Sequence, residues 1–383
     1  MKKTLLSVAL VSATLPSFAE DFHGSLSGVS GAAYATGNYS EGVLLNPSLG
    51  AAFNPEKDDF ALLIGAGALY NDKDDLIDQA DELVDLFDDI ENSTTLSEAQ
   101  ATELKNRLEA IDGDQALVTL GANTVIAIPT NLVSVAFILS AHGNISLAPD
   151  VAQSDIDLID AYLDQNLDPS NLEDDLESTI TGKGALVTEM GVSFSKAFQL
   201  EGGNHLLVGF TPKKVEVESI LYSENVADFD EDDFDADDYT VKDDAMNYDL
   251  GLTYIAGNVR YGFVAKNLQE KTYKTLDPEE SISIERQFIS SVGYVSGNFK
   301  AELAYDLNEV EAVGIDANTQ MLRGGLEYSA WDWVRFRAGF AQDQKNAMDD
   351  TYSFGIGVGA LNLAYIKGSN ETEGFALSGG LRF

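Results

Sequence analysis

Basic side chains recur on one face of the strands that the C-terminal half of the chain is predicted to form. The basic residues on these faces are Arg260, Lys266, Lys300, Arg323, Arg335, Arg337 and Arg382. The acidic residues on the same faces are Asp249, Glu302, Asp306 and Glu327. Because arginine binds carboxylates in a bidentate geometry, the set predicts a site for an anionic group such as a fatty-acid carboxylate. The alternative is a mixed-charge network that satisfies a polar interior.

The composition of the whole chain is strongly acidic. It has 64 acidic and 23 basic residues and a formal net charge of −41 at pH 7. A net basic set on one face therefore runs against the composition. Because such a chain repels polyphosphates, we predict no nucleic-acid partner.

Residue types that carry enzymatic or redox chemistry are scarce. The chain has no cysteine, and His23, His142 and His205 lie in unrelated segments. The G-x-S-x-G pattern of a nucleophile elbow is absent. We therefore predict no catalytic residues, no metal centre and no cofactor.

An acidic run lies within residues 224–245. Its members are Asp228, Asp230, Glu231, Asp232, Asp233, Asp235, Asp237 and Asp238. Carboxylates are calcium ligands, but the run lacks the glycine and the distal glutamate of an EF-hand loop. We favour a solvated external loop.

The first nineteen residues have the three parts of an export signal. Lys2 and Lys3 form the positive end, residues 5–15 the short apolar stretch, and residues 17–19 a small-x-small cleavage site. Cleavage near Ala19 is therefore expected. No later segment offers about 18 consecutive apolar residues, which excludes a helical membrane protein.

The remainder from about residue 59 divides into roughly fourteen segments with strand character. They are 59–70, 115–129, 131–148, 184–198, 203–223, 246–256, 258–269, 283–296, 298–307, 320–329, 333–342, 352–360, 361–368 and 374–383. Connections between them alternate between short and long. Short turns at one rim and longer loops at the other are typical of an outer-membrane barrel. We therefore predict an all-β class: a transmembrane antiparallel β-barrel over residues 59–383, in the outer membrane of a Gram-negative bacterium.

Alternation within the late strands also predicts contact with lipid. Phe375, Leu377 and Leu381 share one face of the last strand, and polar or small residues share the other. The chain ends on Phe383 inside this strand, and a terminal aromatic residue is a signal for the barrel assembly machinery. The predicted partners are therefore outer-membrane lipid and that machinery.

Helices are predicted in two of the long connections, 71–114 and 149–183. One apolar stripe includes Leu83 and Phe87, and Ser97 with Gln100 has the pattern of a capping box. A second connection has a stripe at Ile156, Ile159 and Leu163, followed by a capping pair at Ser170 and Glu173. These stripes need an apolar partner, which could be each other, the barrel rim or a hydrophobic ligand. We predict that Leu83 and Phe87 form a capture surface.

Four short motifs resemble the FadL-type outer-membrane barrels, specifically their plasmid-transfer TraF-like branch, which is related to PorV-type barrels. The first is residues 42–48, where Asn46, Pro47 and Ser48 are similar to an Asn-Pro-Ala element that follows the signal peptide. The others are residues 261–268, 324–328 and 333–340. The resemblance implies fourteen strands and an N-terminal plug, which would be residues 20–58 with Asn46 and Pro47.

The resemblance also implies a role. It favours passive uptake of hydrophobic or amphipathic small molecules, with a hydrophobic small molecule as a further partner. The alternative is a non-transport barrel that serves an envelope, secretion or conjugal-transfer-associated complex. Conjugation itself is not inferred, because a chain without cysteine shares none of the thioredoxin chemistry of the plasmid-encoded TraF.

Overall fold

The computed structural model describes residues 22–383 except 73–74, 92, 94, 166–171, 173–174, 228–238, 277–280, 312–317, 332 and 370–371. The predicted signal peptide, the acidic run at 228–238 and the capping pair Ser170 and Glu173 lie outside these residues.

The described chain forms a closed barrel of fourteen antiparallel strands, which confirms the predicted fold class. Two further two-stranded ladders, β8–β9 and β12–β13, lie outside the barrel sheet. The strands are β1 (Ala61–Asp72), β2 (Ala116–Ile128), β3 (Ser134–Asp150), β4 (Thr179–Gln199), β5 (His205–Asn225), β6 (Thr240–Ala256), β7 (Val259–Lys266), β8 (Lys271–Tyr273), β9 (Ile282–Ile284), β10 (Gln287–Ser296), β11 (Phe299–Asp306), β12 (Val310–Glu311), β13 (Asn318–Thr319), β14 (Met321–Trp331), β15 (Val334–Asp343), β16 (Thr351–Val358), β17 (Leu361–Gly368) and β18 (Glu373–Arg382).

The helices of the described residues are few and short. They are α1 (Gly24–Ser27), α2 (Leu76–Glu91), α3 (Glu98–Ile111) and α4 (Gln153–Gln165), with 3-10 turns at Gly42–Leu44, Pro47–Ala51 and Glu201–Gly203. None of these helices combines the length and the apolar character needed to cross a membrane.

The two rims of the barrel differ in the length of their connections. At the short-turn rim, strands join through two-residue turns such as those at Gly257 and Gly297, whose positive φ angles of 60° and 56° favour glycine. At the long-loop rim, the connections carry α2, α3, α4 and the two small ladders. The alternation predicted from sequence is therefore present in the structure.

The alternation within the strands also matches the prediction. In β18, Phe375 is 57% exposed on the outer face, whereas Ala376 is fully buried on the lumenal face. Trp331 and Trp333 stack at the short-turn rim with ring centroids 6.1 Å apart. An apolar outer face with aromatic residues near a rim is suited to a lipid environment.

The barrel wall is much taller on one side than on the other. Strands β3 to β6 have 17 to 21 residues, whereas β7, β11, β16 and β17 have eight each. A membrane-spanning strand needs about 9–11 residues. The tall wall therefore projects beyond the bilayer at the long-loop rim.

Helices α2, α3 and α4 pack on the outer face of this projection. They share a buried apolar core with Ile180 and Tyr222. Ile180 has the same alternation as Met190 in β4, and Tyr222 the same as Phe210 in β5, and both Met190 and Phe210 are exposed on the outside of the barrel. The helices therefore lie beside the barrel rather than across its mouth.

Candidate functional site

Residues 22–58 form a segment that lies inside the barrel, here called the lumenal segment. Nearly all of it between Phe22 and Ala51 is buried. It has almost no regular structure and crosses the lumen in contact with strands on both sides of the barrel. Its position divides the lumen into a lower part at the short-turn rim and an upper part at the long-loop rim.

The wall accepts this segment through glycines. A Cβ atom on Gly209 would lie 2.2 Å from the carbonyl carbon of Pro47, and one on Gly251 would lie 2.0 Å from the Oδ1 atom of Asn46. The other wall glycines that the segment contacts within 3.1 Å of such a Cβ are Gly65, Gly67, Gly121, Gly262, Gly293, Gly325, Gly339 and Gly355. Only glycine allows so close an approach of two backbones.

Asn46 fixes the middle of the lumenal segment to the wall. Its amide donates hydrogen bonds to the carbonyl oxygen of Tyr34 (2.6 Å) and the hydroxyl of Thr253 in β6 (3.1 Å). Its Oδ1 accepts from the backbone N–H of Ser48 (3.0 Å) and from the Ser48 hydroxyl (2.8 Å). The Asn-Pro turn thus forms an N-terminal cap for the 3-10 helix Pro47–Ala51.

Two carboxylates hold other parts of the lumenal segment. Glu302, on β11 and 3% exposed, accepts hydrogen bonds from the backbone N–H groups of Ala35 and Thr36, both at 2.8 Å. Glu41 of the segment forms an ion pair with Arg382 of β18. These contacts pair charges and backbone donors that burial would otherwise leave unsatisfied.

Burial also sets the ionisation of the segment. It lowers the pKa of His23 to about 4, although Glu41 acts in the opposite direction. For Glu41, burial alone would raise the pKa, but Arg382, His23 and the hydrogen bond from Asn38 together lower it to about 2. At neutral pH, His23 is therefore neutral and Glu41 is charged.

Most of the predicted basic set lies in the lower lumen and serves this arrangement. Arg337 and Lys300 both pair with Glu327, at 2.7 and 3.1 Å, and Arg260 donates to the carbonyl oxygen of Ala35 at 3.4 Å. Arg335 shares the lumenal face of β15, two residues nearer the short-turn rim. The structure thus gathers five of the seven basic residues, counting Arg382, around the lumenal segment.

A cavity of about 250 Å³ occupies the upper lumen, above the lumenal segment. Its floor is formed by the segment, and its apolar walls include Leu69, Met321 and Ile366. Phe22, Ser27, Ser30 and Tyr34 are the residues of the segment that line it.

Two of the predicted basic residues, Lys266 and Arg323, line this cavity. Arg323 pairs with Asp306 at 2.8 Å. The Nζ atom of Lys266 lies 6.0 Å from the ring centroid of Tyr34, in the range of a cation–π contact. The acidic and basic charges of the cavity are therefore close to one another.

A polar wall closes the tall side of the cavity. Lys213 forms ion pairs with Glu189 and Asp249, both at 2.9 Å, and Asp249 accepts a hydrogen bond from the backbone N–H of Asn267 at 2.8 Å. His142 lines the same side, opposite Val187 in the β3–β4 ladder. Among the described residues, the Nδ1 atom of His142 and the Oδ1 atom of Asn267 are buried without a hydrogen-bond partner.

The predicted capture surface is absent from this cavity. Leu83 is fully buried and Phe87 is 3% exposed, both in the core that α2 shares with α3 and α4. The apolar stripe therefore finds its partner in the other helices and in the outer wall, and the prediction of an exposed surface at these residues is wrong for this structure. The predicted capping box at Ser97 and Gln100 does form at the start of α3.

The C-terminal residue lies at the short-turn rim. The backbone N–H of Phe383 donates to the carbonyl oxygen of Phe60 at 3.0 Å, and its ring centroid lies 6.3 Å from that of Phe60. The ring is exposed on the outside of the barrel. Its predicted role as an assembly signal stays a prediction.

Two groups of site residues were missed by sequence reasoning. The wall glycines alternate with large residues in their strands, as Gly325 does with Leu326, and this alternation is the signal that marks a close approach. His142 and Asn267 have no comparable signal, because their role depends on what the closed barrel brings together. Among the described residues, no group of three or more His, Cys, Asp or Glu side chains is arranged to hold a metal ion.

Fold and site together define a transmembrane β-barrel of the FadL-like type, with a filled lower lumen. The model of the family described as "F plasmid transfer operon, TraF, protein" matches residues 43–306, and the chain belongs to this family. No curated protein matches the sequence.

Solved structures with similar folds are channels and transporters by title. A mutant of the monoaromatic hydrocarbon channel TodX (deltaS2S3) is 10% identical, with a TM-score of 0.51, over 94% of this chain and 97% of that one. The toluene transporter TodX of Pseudomonas putida is 9% identical, with a TM-score of 0.47, over 96% and 97%. A FadL homologue of Pseudomonas aeruginosa is 11% identical, with a TM-score of 0.47, over 94% and 98%. The first of these supports a shared barrel fold.

Proposed function

We propose that the protein is an outer-membrane channel for the passive uptake of hydrophobic or amphipathic small molecules. The observation that carries the proposal is the cavity of about 250 Å³ in the upper lumen, which lies directly above the lumenal segment. Concave sites with mostly apolar walls and a few polar groups are the usual binding sites of small molecules. The titles of the structurally similar TodX and FadL proteins agree with this role.

In this proposal, the lumenal segment is a plug. A ligand enters the cavity from the long-loop rim and binds above the segment, and its further passage requires the segment to move. No energy source is needed, because the ligand moves down its own concentration gradient. The alternative role in an envelope, secretion or transfer-associated complex stays a prediction.

The proposed location is the outer membrane of a Gram-negative bacterium, after removal of residues 1–19. The apolar outer face of the barrel supports contact with lipid. Fractionation of cells that express the full chain, with mass spectrometry of the mature N-terminus, tests both points. Recovery of the chain in the inner membrane or the periplasm would contradict the proposed location.

A cavity-filling variant tests uptake. Ala341 lines the cavity, whereas Ala338 of the same strand lies on the outer face beside Leu326 and Phe354. Ala341→Trp should abolish uptake of radiolabelled ethylbenzene by cells whose own FadL-type channels are deleted. Ala338→Trp is the matched control and should leave uptake at the wild-type rate. Equal uptake by the wild type, by Ala341→Trp and by cells without the protein would contradict the proposal.

A further inference from the structure

The size of the cavity restricts what can occupy it. Sites for drug-sized ligands have volumes of about 300–1,000 Å³, and an apolar cavity of about 150 Å³ is enough to hold benzene. A cavity of about 250 Å³ therefore accommodates one ring with a short substituent. A long alkyl chain exceeds it.

The charges around the cavity disfavour an anion. Of the described residues that line it, Lys266 and Arg323 are basic. The acidic ones are more numerous: Glu189, Glu285, Asp306, Glu311 and Asp349. Arg323 is held by Asp306, and bringing a carboxylate to this site places a negative charge beside five others.

The acids are also engaged, which disfavours a cation. Glu189 pairs with Lys213 and Asp306 with Arg323. Asp349 accepts hydrogen bonds from Asn71 at 3.2 Å and Thr372 at 2.5 Å. A cationic ligand would have to displace these partners, whereas a neutral ligand displaces none of them.

The polar wall supplies the recognition of a head group. The Oδ1 atom of Asn267 is a hydrogen-bond acceptor, and the Nδ1 atom of His142 is an acceptor or a donor according to its tautomer. Both atoms are buried and unpartnered among the described residues, and both residues line the cavity. An unsatisfied buried polar atom costs about 1–3 kcal/mol, so a ligand that donates to these atoms gains affinity.

We propose that the cavity binds an uncharged, single-ring amphiphile with one hydroxyl group, of the phenol class. The ring packs against Phe22, Met321 and Ile366, and the hydroxyl bonds to the wall of His142 and Asn267. The proposal rests on the proposed function and names its substrate class. It replaces the anionic ligand predicted from the basic set.

Four probes on one ring test the class of ligand. They are 4-ethylphenol, 4-ethylbenzoate, 4-ethylbenzylamine and 1,4-diethylbenzene, titrated by calorimetry into the purified full-length barrel in detergent. The phenol should bind roughly tenfold more tightly than each of the others. Tightest binding by the benzoate or the amine would overturn the proposal, as would equal binding of the phenol and the hydrocarbon.

Two variants test the residues. His142→Phe and Asn267→Gly should each weaken binding of 4-ethylphenol roughly five- to tenfold and leave diethylbenzene binding unchanged. Glycine at position 267 keeps the positive φ of 52° available. The matched control is His205→Phe at the short-turn rim, which should bind all four probes as the wild type does.

The outcomes separate this proposal from the proposed function. If diethylbenzene binds and ethylbenzene uptake occurs, but neither variant changes phenol binding, the phenol proposal fails and the uptake function stands. If none of the four probes binds and no uptake occurs, both fail. Circular dichroism confirms a folded barrel for each variant, and the two variants provide independent tests should one fail to fold.

Discussion

The lower and upper halves of the lumen use similar residues to different ends. In the lower half, Glu302, Glu327 and Arg382 are matched with partners on the wall or the lumenal segment, and glycines let the two backbones touch. In the upper half, a cavity remains and His142 and Asn267 keep polar atoms without partners among the described residues. A basic or acidic residue inside a barrel therefore indicates a ligand site only where the chain leaves space beside it.

The largest expected effect comes from forcing the two backbones of the lower half apart. Gly209→Val places a side chain within 2.2 Å of the Pro47 backbone, and no rotamer relieves such an overlap. We expect the lumenal segment to leave the lumen, with open conductance in planar bilayers and rapid proteolysis of residues 22–58. Gly379→Val, on the outer face with only a Leu361 methyl group nearby, is the control and should stay closed.

Acid should loosen the lower half next. Because the pKa of His23 falls from 6.5 to about 4 on burial, its contribution to holding the segment is complete above pH 6.5 and is lost as the pH falls towards 4. The loss amounts to about 3 kcal/mol. Hydrogen exchange of residues 22–58, corrected for the intrinsic pH dependence of exchange, measures it.

Glu41 adds a second and more acidic window. Its pKa falls from 4.5 to about 2 in the folded protein, so its contribution is lost only as the pH falls from 4.5 towards 2. His23→Gln should therefore remove the dependence between pH 6.5 and 4.5 and keep the lower one. A variant with the same dependence as the wild type in the upper window would exclude His23 as its source.

A smaller effect is expected from Glu302→Gln. The amide keeps one acceptor oxygen but turns its NH2 group towards an N–H of the segment, which should destabilise the docked segment by about 2 kcal/mol. Exchange at Ala35 and Thr36 should rise roughly 30-fold. Glu373→Gln, which lies in an exposed ion pair with Lys367, should leave that exchange unchanged.

The smallest effect is expected from Arg335→Gln. Arg335 lies on the lumenal face of β15 below the cavity, so its neutralisation should change 4-ethylphenol binding less than twofold and stability by less than about 0.5 kcal/mol. Neutralising Arg337 as well should destabilise the barrel, because Glu327 then keeps only Lys300, but should still leave ligand affinity unchanged. A loss of ligand retention in the folded double variant would restore the anionic-ligand hypothesis.

The fold was accessible from sequence because its signals are local. Alternation with a period of two marks each strand, and the Ser97–Gln100 capping box marks the start of α3 three residues apart. The alternation of short and long connections gave the number of strands and the two rims. Each of these patterns lies within a few residues of the element that it predicts.

The site was less accessible because its contacts are remote. The face of each basic residue followed from alternation, but the partner of Arg382 is Glu41, at the other end of the chain. Leu83 and Phe87 showed an apolar stripe without showing that α3, α4 and the outer wall would cover it. Which charges are neutralised and which faces are covered depend on the closure of the barrel.

The division of the lumen into a closed lower half and a ligand-binding upper half is tested most directly by locating a ligand. A crystal of the full-length barrel soaked with 4-bromophenol would show the bromine by its anomalous signal. The account predicts one peak in the upper cavity, among Phe22, Met321 and Ile366, with the lumenal segment still docked on Gly209 and Gly251. Bromine in the lower lumen in place of the segment, or only on the lipid-facing surface, would contradict it.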